Sequence, residues 1–201
     1  MDKNIYIAPT AVVEEGAVIF PNNYIGDNTV IKAGAILHPN NYIVNSVIGQ
    51  CANVTCSVVH DSTVSKGASI GPFAYLRAGA FVGEYCKAGD FVEIKNATLG
   101  DNSKASHLAY VGDCDIGEGC NIGCGTIFVN YDGKLKHRSE VGDRVFIGSN
   151  SNVIAPVNIG DDAYIAAGTT ITEDIPPKAL VIGRSRQIVK EGKALGKFKL
   201  I

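Results

Sequence analysis

An aliphatic residue recurs every six positions along most of this chain. From Ile7, steps of six land on Val13, Ile19, Ile25, Ile31, Leu37 and Ile43, and after one five-residue step the frame resumes at Ile48 and Val54. Two further short steps, the first landing on Val59, lead to Val64, Ile70, Leu76, Val82, Ala88 and Ile94. Another gives Leu99, Ala105 and Val111, and a last one gives Ile116 and Ile122. Beyond an interruption the frame runs through Val141, Ile147, Val153, Ile159, Ile165 and Ile171. The fourth residue after each aliphatic is nearly always small, as at Ala35, Ala68, Ala80, Ser103, Thr126 and Ser151. A small residue followed two positions later by the next aliphatic has the period of a strand with one face inward. Gly often follows the aliphatic, as at Gly26, Gly71, Gly117 and Gly148, with Asp, Glu or Asn next, and these read as turn residues. Each hexad is therefore one short strand and one corner.

Three hexads close a coil of eighteen residues, and stacked coils form an all-β parallel solenoid. Residues 7–175 supply roughly nine coils at a rise of about 4.8 Å each. A β-sandwich has no reason to hold a six-residue frame for this distance. The expected organisation is a β-helix over residues 1–177, interrupted by a loop insertion at 128–140, and then a tail over 178–201. Pro176-Pro177 ends the strand pattern, and residues 185–195 are candidates for a short helix that Gly192 weakens.

Composition narrows the function. A formal net charge of −2 offers no general attraction for nucleic acid or an anionic membrane. No apolar run approaches a bilayer span, and the first residues lack a signal-peptide layout, so a cytoplasmic protein is expected. Six cysteines without a C-x-x-C pair suit reduced thiols better than a disulfide frame or a zinc knuckle. The four histidines are too scattered in the frame for a three-histidine metal site, so no metal is expected and a β-helical carbonic anhydrase is disfavoured.

Stacking converts spacing into geometry. Arg77 and Lys95 are eighteen apart and fall on one face of successive coils, where two unpaired cations about 5 Å apart repel; Glu93 neutralises only one, and a bound phosphate would resolve the conflict. His107 takes the third place of its hexad, an outward corner about one coil beyond Lys95, and Tyr110 ends the same hexad. An exposed His near cations and a Tyr suits a general base, and Lys95 and Arg77 are expected to disfavour its imidazolium. Ser149 and Ala167 are also third-place residues eighteen apart. They make a groove of small corner residues leading to Arg184 and Arg186, suited to an extended ligand with a phosphorylated head such as coenzyme A. The interruption carries Lys134, Lys136, His137 and Arg138 behind an Asn130-Tyr131-Asp132-Gly133 turn. Cys86 and Cys120 occupy inward small positions and read as core.

The hexad form resembles the left-handed β-helix family, and the left hand is taken from that resemblance. The segments GPFAYLRAGA, FVEIKNATLG, KASHLAYVGD, NIGCGT, NYDGKLKHR, FIGSN, APVNIGDDAYIAAGTTIT and LVIGRSRQ closely resemble the acetyltransferase half of the bacterial bifunctional enzyme that acetylates glucosamine-1-phosphate and then uridylylates it. The match runs from about residue 48 to 190, and residues 1–47 match only as generic hexads. The resemblance implies that Arg77, Lys95, Tyr110, Asn121 and Lys136 hold the sugar phosphate, with Asn130 near the reacting groups. It makes His107 the base that takes the proton of the attacking amine. It places Asn130, Tyr131, Ser149, Ala167 and Arg184 in the acetyl-CoA site, and implies a homotrimer with sites between subunits. The backbone N–H around Cys124 is the candidate donor to the tetrahedral oxyanion. The family pattern usually has Ala where Cys124 stands, a change that would tighten the thioester pocket.

No nucleotidyltransferase domain is expected, because nothing precedes the first hexad and no Gly-rich phosphate loop with a following Lys occurs. A separate uridylyltransferase is then an expected partner in making the nucleotide sugar. Two other readings stand beside this one. One is a hexapeptide acyltransferase for a different amino sugar or nucleotide sugar; the other is a non-catalytic solenoid that binds a ligand or scaffolds a partner. Retention of Arg77, Lys95, His107, Tyr110 and Asn130 in motif context disfavours the last.

Overall fold

The structure, a computed structural model, describes residues 4–191 and 193. Its strands are two to four residues long and every strand pair is parallel, arranged as three sheets of ten, nine and ten strands. Consecutive strands belong to different sheets, and each strand pairs with the third one along the chain, except that the last, Leu180–Val181, pairs with the second one before it, Tyr164–Ile165. The result is the expected left-handed parallel β-helix, a triangular prism with one sheet per face. The first face begins with Tyr6–Ile7, the second with Val12–Val13 and the third with Val18–Ile19. Register follows the sequence frame, with Ile7 opposite Ile25 and Arg77 opposite Lys95. Each short step in the frame appears as a pairing one residue tighter, as with Val58 opposite Tyr75.

The framed aliphatics fill the prism. Ile25, Ile43, Leu76, Ile94, Leu99, Val111, Ile147 and Val153 are fully buried, with the small fourth-place residues between them. At the first coil nothing covers the core from below among the described residues, and Ile7 is 45% exposed. Cys86 and Cys120 are buried as expected; burial pushes the Cys86 thiol up to about 11 and raises Cys120, which suits neither to nucleophilic work.

Four expectations need correction. The frame does not stop at Ile127: Phe128 takes the next inward place, 1% exposed, so an aromatic fills a site the aliphatic pattern had not anticipated. With Ile127–Val129 and Ser139–Val141 both in strands, the protruding segment is residues 130–138 rather than 128–140. The glycine after the aliphatic is mostly not the turn residue. A Cβ at Gly123 or Gly148 would fall on the backbone of the next coil, so these glycines permit close stacking. The left-handed backbone lies two positions later, at residues such as Asn28, Phe91, Leu108 and Asn150. Finally, strand pairing continues past residue 177, with Leu180–Val181 added to the third face. Residues 185–191 form no helix; residues 192, 194 and 195 of that expected helix lie outside the described residues.

Polar ladders fix the corners where the core meets the turns. Asn23 and Asn41 are each 2% exposed. Asn41 donates through Nδ2 to Asn23 Oδ1 (2.9 Å) and to the His38 carbonyl (2.6 Å), and its Oδ1 accepts the Ser57 N–H (2.9 Å). Asn41→Ala should leave several buried groups unpaired and destabilise the lower coils by about 2–3 kcal/mol. Amide exchange should then accelerate in the coils around residue 41 and far less beyond residue 140, since a solenoid couples mainly neighbouring coils. Uniform acceleration, or none, contradicts this account.

Candidate active site

The residues singled out in the sequence gather at two edges of the prism. The first set lies where the first face meets the second. Arg77 ends the strand Tyr75–Arg77 and Lys95 ends Glu93–Lys95, paired directly across the ladder. Neither is unpaired, contrary to expectation. Arg77 grips Glu93 through Nη2 (2.6 Å) and Nε (2.8 Å), with its guanidinium 5.4 Å from the Tyr75 ring centre. Lys95 Nζ lies 3.3 Å from Asp113, a residue the sequence reasoning missed. Asp113 follows Gly112 at the corner one coil on, and its only sequence signal was the eighteen-residue step from Lys95.

Asp113 organises this edge. Its carboxylate accepts from Lys95, from Asn96 Nδ2 (2.6 Å) and from Asn130 Nδ2. Burial opposes its ionisation, but the hydrogen bonds from Asn96, Lys95 and Asn130 outweigh that penalty and hold the carboxyl below the usual range. Asn130 also donates to the Tyr110 hydroxyl (3.3 Å), and the Tyr110 ring lies where a Cβ on Gly112 would stand. Lys136 comes from the protruding loop to the same place. The neighbouring Lys95 lowers Lys136, while Lys95 has the Asp113 carboxylate to hold its charge. Asp113 pairs with Lys95, and Lys136 faces the same cavity without an ion pair among the described residues, which leaves an excess of positive charge for an anion. The cavity here, about 460 Å³, is lined by Ala78, Lys95, Asn96, Asp113, Lys136, His137 and Arg138.

The loop is stapled from within. Asp132 accepts from the Lys134 and Leu135 N–H groups and lies 2.7 Å from His137 Nε2; the His137 bond chiefly, then the two N–H groups, pull its carboxyl down to about 2. Arg138 is bound to Asp115 (2.5 Å) and to the Asn96 carbonyl (2.8 Å), so it fastens the loop to the prism rather than waiting for a ligand.

The second set lies where the third face meets the first. His107 is opposite Asp90 in the parallel pairing, and the main-chain bonds of Gly125, Asn150 and Gly168 to residues 108, 124 and 149 continue the same column upward. Asp90, His107, Cys124, Ser149 and Ala167 thus stand one above another at coil spacing. Arg184 Nη1 donates to the Ala167 carbonyl (3.0 Å) and closes the top, beside a cavity of about 490 Å³ lined by Ile182, Arg184, Ser185, Arg186 and Gln187. The expected groove of small corner residues leading to arginines is present, and it begins at His107. The expected neighbours of His107 are not: its charged partner is Asp90, with Nδ1 2.5 Å from Oδ1. Lys95 pairs with Gly112, five residues beyond His107, so the two stand on the order of 15 Å apart along the backbone of one face.

Two assignments do not converge within one chain. Asn121 pairs with Lys104 and Phe146 on the third face, away from Lys95. Asn130 and Tyr131 lie at the far edge of the first face from Cys124, Ser149 and Ala167; the Tyr131 hydroxyl is taken by the Gly133 carbonyl (2.8 Å).

Known proteins resemble this chain. A family described as bacterial transferase hexapeptide (six repeats) matches residues 138–173. The chain is 49% identical over 189 residues to the bifunctional protein GlmU of Clostridium acetobutylicum, and 53% identical over 190 residues to that of Caldicellulosiruptor saccharolyticus. Each match covers 94% of this chain and 41% of the relative. The resemblance is to GlmU. The chain thus spans about two fifths of the length of these GlmU proteins. Among solved structures, the Francisella novicida UDP-N-acetylglucosamine acyltransferase aligns with a TM-score of 0.64 at 20% identity, over 89% of this chain and 66% of that one. At that identity it speaks for the β-helix fold alone.

The Asp113 cluster sets a pH dependence. A carboxyl whose folded pKa is below its unfolded value stabilises the fold above about pH 4, and the contribution is lost as pH falls through the folded value. Asp113→Asn should cost about 3 kcal/mol at pH 7, by leaving Lys95 without its counter-charge. The gap in melting temperature between wild type and Asp113→Asn should narrow as pH falls below about 4. A gap that stays constant down to pH 3 contradicts the assignment.

Proposed function

We propose that this chain is an acetyl-CoA-dependent N-acetyltransferase acting on glucosamine-1-phosphate. The single observation that carries the reading is the column His107–Cys124–Ser149–Ala167, capped by Arg184, in a chain about half identical to GlmU over 94% of its length. Small exposed residues along the edge leave room for a thin pantetheine arm, and Arg184 is placed for the phosphorylated end. The His107 end is the place for the thioester. The opposite edge supplies Arg77, Lys95 and Lys136 for a phosphate, with Tyr110 and Asn130 on the way to it.

In this reading the acceptor amine attacks the thioester carbonyl and gives its proton to His107 Nε2. Backbone N–H groups around Cys124 receive the developing oxyanion, and collapse expels the coenzyme A thiolate, which takes up the proton. The products are the N-acetylated sugar phosphate and free coenzyme A.

The proposal extends to assembly as a homotrimer with sites between subunits. Asn121 stands away from Lys95, and Asn130 and Tyr131 stand away from the donor column of their own chain, so a site holding all of them draws on a neighbour. Phe73, Phe91 and Leu108 are each more than half exposed along the His107 edge, a surface suited to burial against another subunit. The six cysteines are all free thiols, in keeping with a cytoplasmic protein.

The test is kinetic, with thiol release from acetyl-CoA as readout. His107→Ala should lower kcat by roughly 10²–10⁴ with the acetyl-CoA Kd nearly unchanged by calorimetry. Lys95→Ala should mainly raise KM for the sugar phosphate, by about 10- to 100-fold for one lost charge-assisted contact. A near wild-type kcat in His107→Ala removes the base. A KM effect of Lys95→Ala confined to acetyl-CoA reverses the two ends of the site.

A further inference from the structure

His107 and Asp90 each close a strand, Lys104–His107 and Lys87–Asp90, and face each other across one coil step. The main chain fixes that juxtaposition. A Cβ on Gly89 would fall on the Ser106 carbonyl, so the two strands touch at the residue before Asp90. The Leu108 N–H donates to the Asp90 carbonyl (2.8 Å), tying the corner after His107 to the strand below. Between these two backbone contacts the side chains have little choice of partner, and Asp90 Oδ1 lies 2.5 Å from His107 Nδ1.

That contact decides which ring nitrogen does chemistry. An ionised carboxylate only accepts, so Nδ1 carries the hydrogen and Nε2 is left with the lone pair. An unrestrained imidazole prefers the opposite tautomer, with the hydrogen on Nε2, in which the outward nitrogen has no lone pair to offer. The His107 side chain is 57% exposed, and the contact with Asp90 is its one side-chain hydrogen bond among the described residues, so this bond is what orients the ring. We infer that Asp90 is a positioning residue for acetyl transfer, locking His107 as the Nδ1–H tautomer with Nε2 presented to the acceptor amine.

The surrounding charges leave Asp90 in that role. From the strand below His107 come Asp90 and Lys87, from the coil above come Cys124 and the neutral Asn121, and His107's own strand carries Lys104. The hydrogen bond to His107 comes first among the groups that hold the Asp90 carboxyl below its usual range, so it remains an acceptor at neutral pH. The sequence concealed this pair because their seventeen-residue separation crosses a short step of the frame.

The inference rests on the reading of His107 as the proton acceptor, and two measurements separate them. Nitrogen-15 NMR of the histidine rings in the unliganded protein should show His107 protonated on Nδ1 in the wild type. The ring in Asp90→Ala should shift toward the Nε2–H form, and Asp90→Asn, whose amide oxygen still accepts, should keep much of the Nδ1–H form. In the thiol-release assay Asp90→Ala should lose roughly 10- to 100-fold in kcat, with both KM values changed less than about threefold and Asp90→Asn recovering part of the loss. A wild-type kcat in Asp90→Ala with an unchanged ring, beside an inactive His107→Ala, overturns the role of Asp90 alone. Full activity in His107→Ala removes the base and this inference with it.

Discussion

Parallel hydrogen bonding of each coil onto the next fixes every other relationship in this molecule. A coil of three two-residue strands cannot bury its own aliphatics, so Ile25, Ile43 and Ile94 find their core only in the coils above and below. The same ladder carries each outward residue to a fixed place above its counterpart one coil earlier, most often seventeen or eighteen positions back. A strand two residues long has no independent stability, and the molecule holds because the ladder repeats.

The ladder also explains how so open a surface builds a site. Among the described residues each edge of the prism is a column of side chains at strand spacing. One column ends in His107 and rises through Cys124, Ser149 and Ala167 to Arg184. The other gathers Arg77, Lys95, Asp113 and Asn130, and the loop brings Lys136 to it. The insertion is braced from within by the hydrogen bond of Asp132 with His137 and anchored at its return by the ion pair of Arg138 with Asp115. Its cations divide accordingly between holding the loop and facing the cavity, a division that charge counting alone does not reveal.

Much of this was legible before the structure. The aliphatic frame located nearly every inward residue, and the shared third place of Ser149 and Ala167 foretold their part of the column; His107, expected beside Lys95, instead begins that column below Cys124. What escaped had physical reasons. Phe128 fills an aliphatic place with an aromatic, so a search for aliphatics lost the frame one turn early. The glycines after each aliphatic looked like turn residues because Gly is common in turns, yet at Gly123 and Gly148 the demand is space for the neighbouring coil. Asp113 and Asp90 were hidden because a carboxylate at a corner is ordinary in any one coil, and only its partner one coil away gives it a role. The expected repulsion between Arg77 and Lys95 failed for the same reason, since each cation has a carboxylate one coil from it.

The account stands on the His107 edge as the path of the acyl donor. A crystal structure with coenzyme A bound tests this most directly. The account expects the pantetheine arm to run parallel to the prism axis along Cys124, Ser149 and Ala167, with its sulfur at the His107 end and its phosphates toward Arg184. Coenzyme A seated on the Lys95–Lys136 edge, or with its sulfur remote from His107, would contradict it.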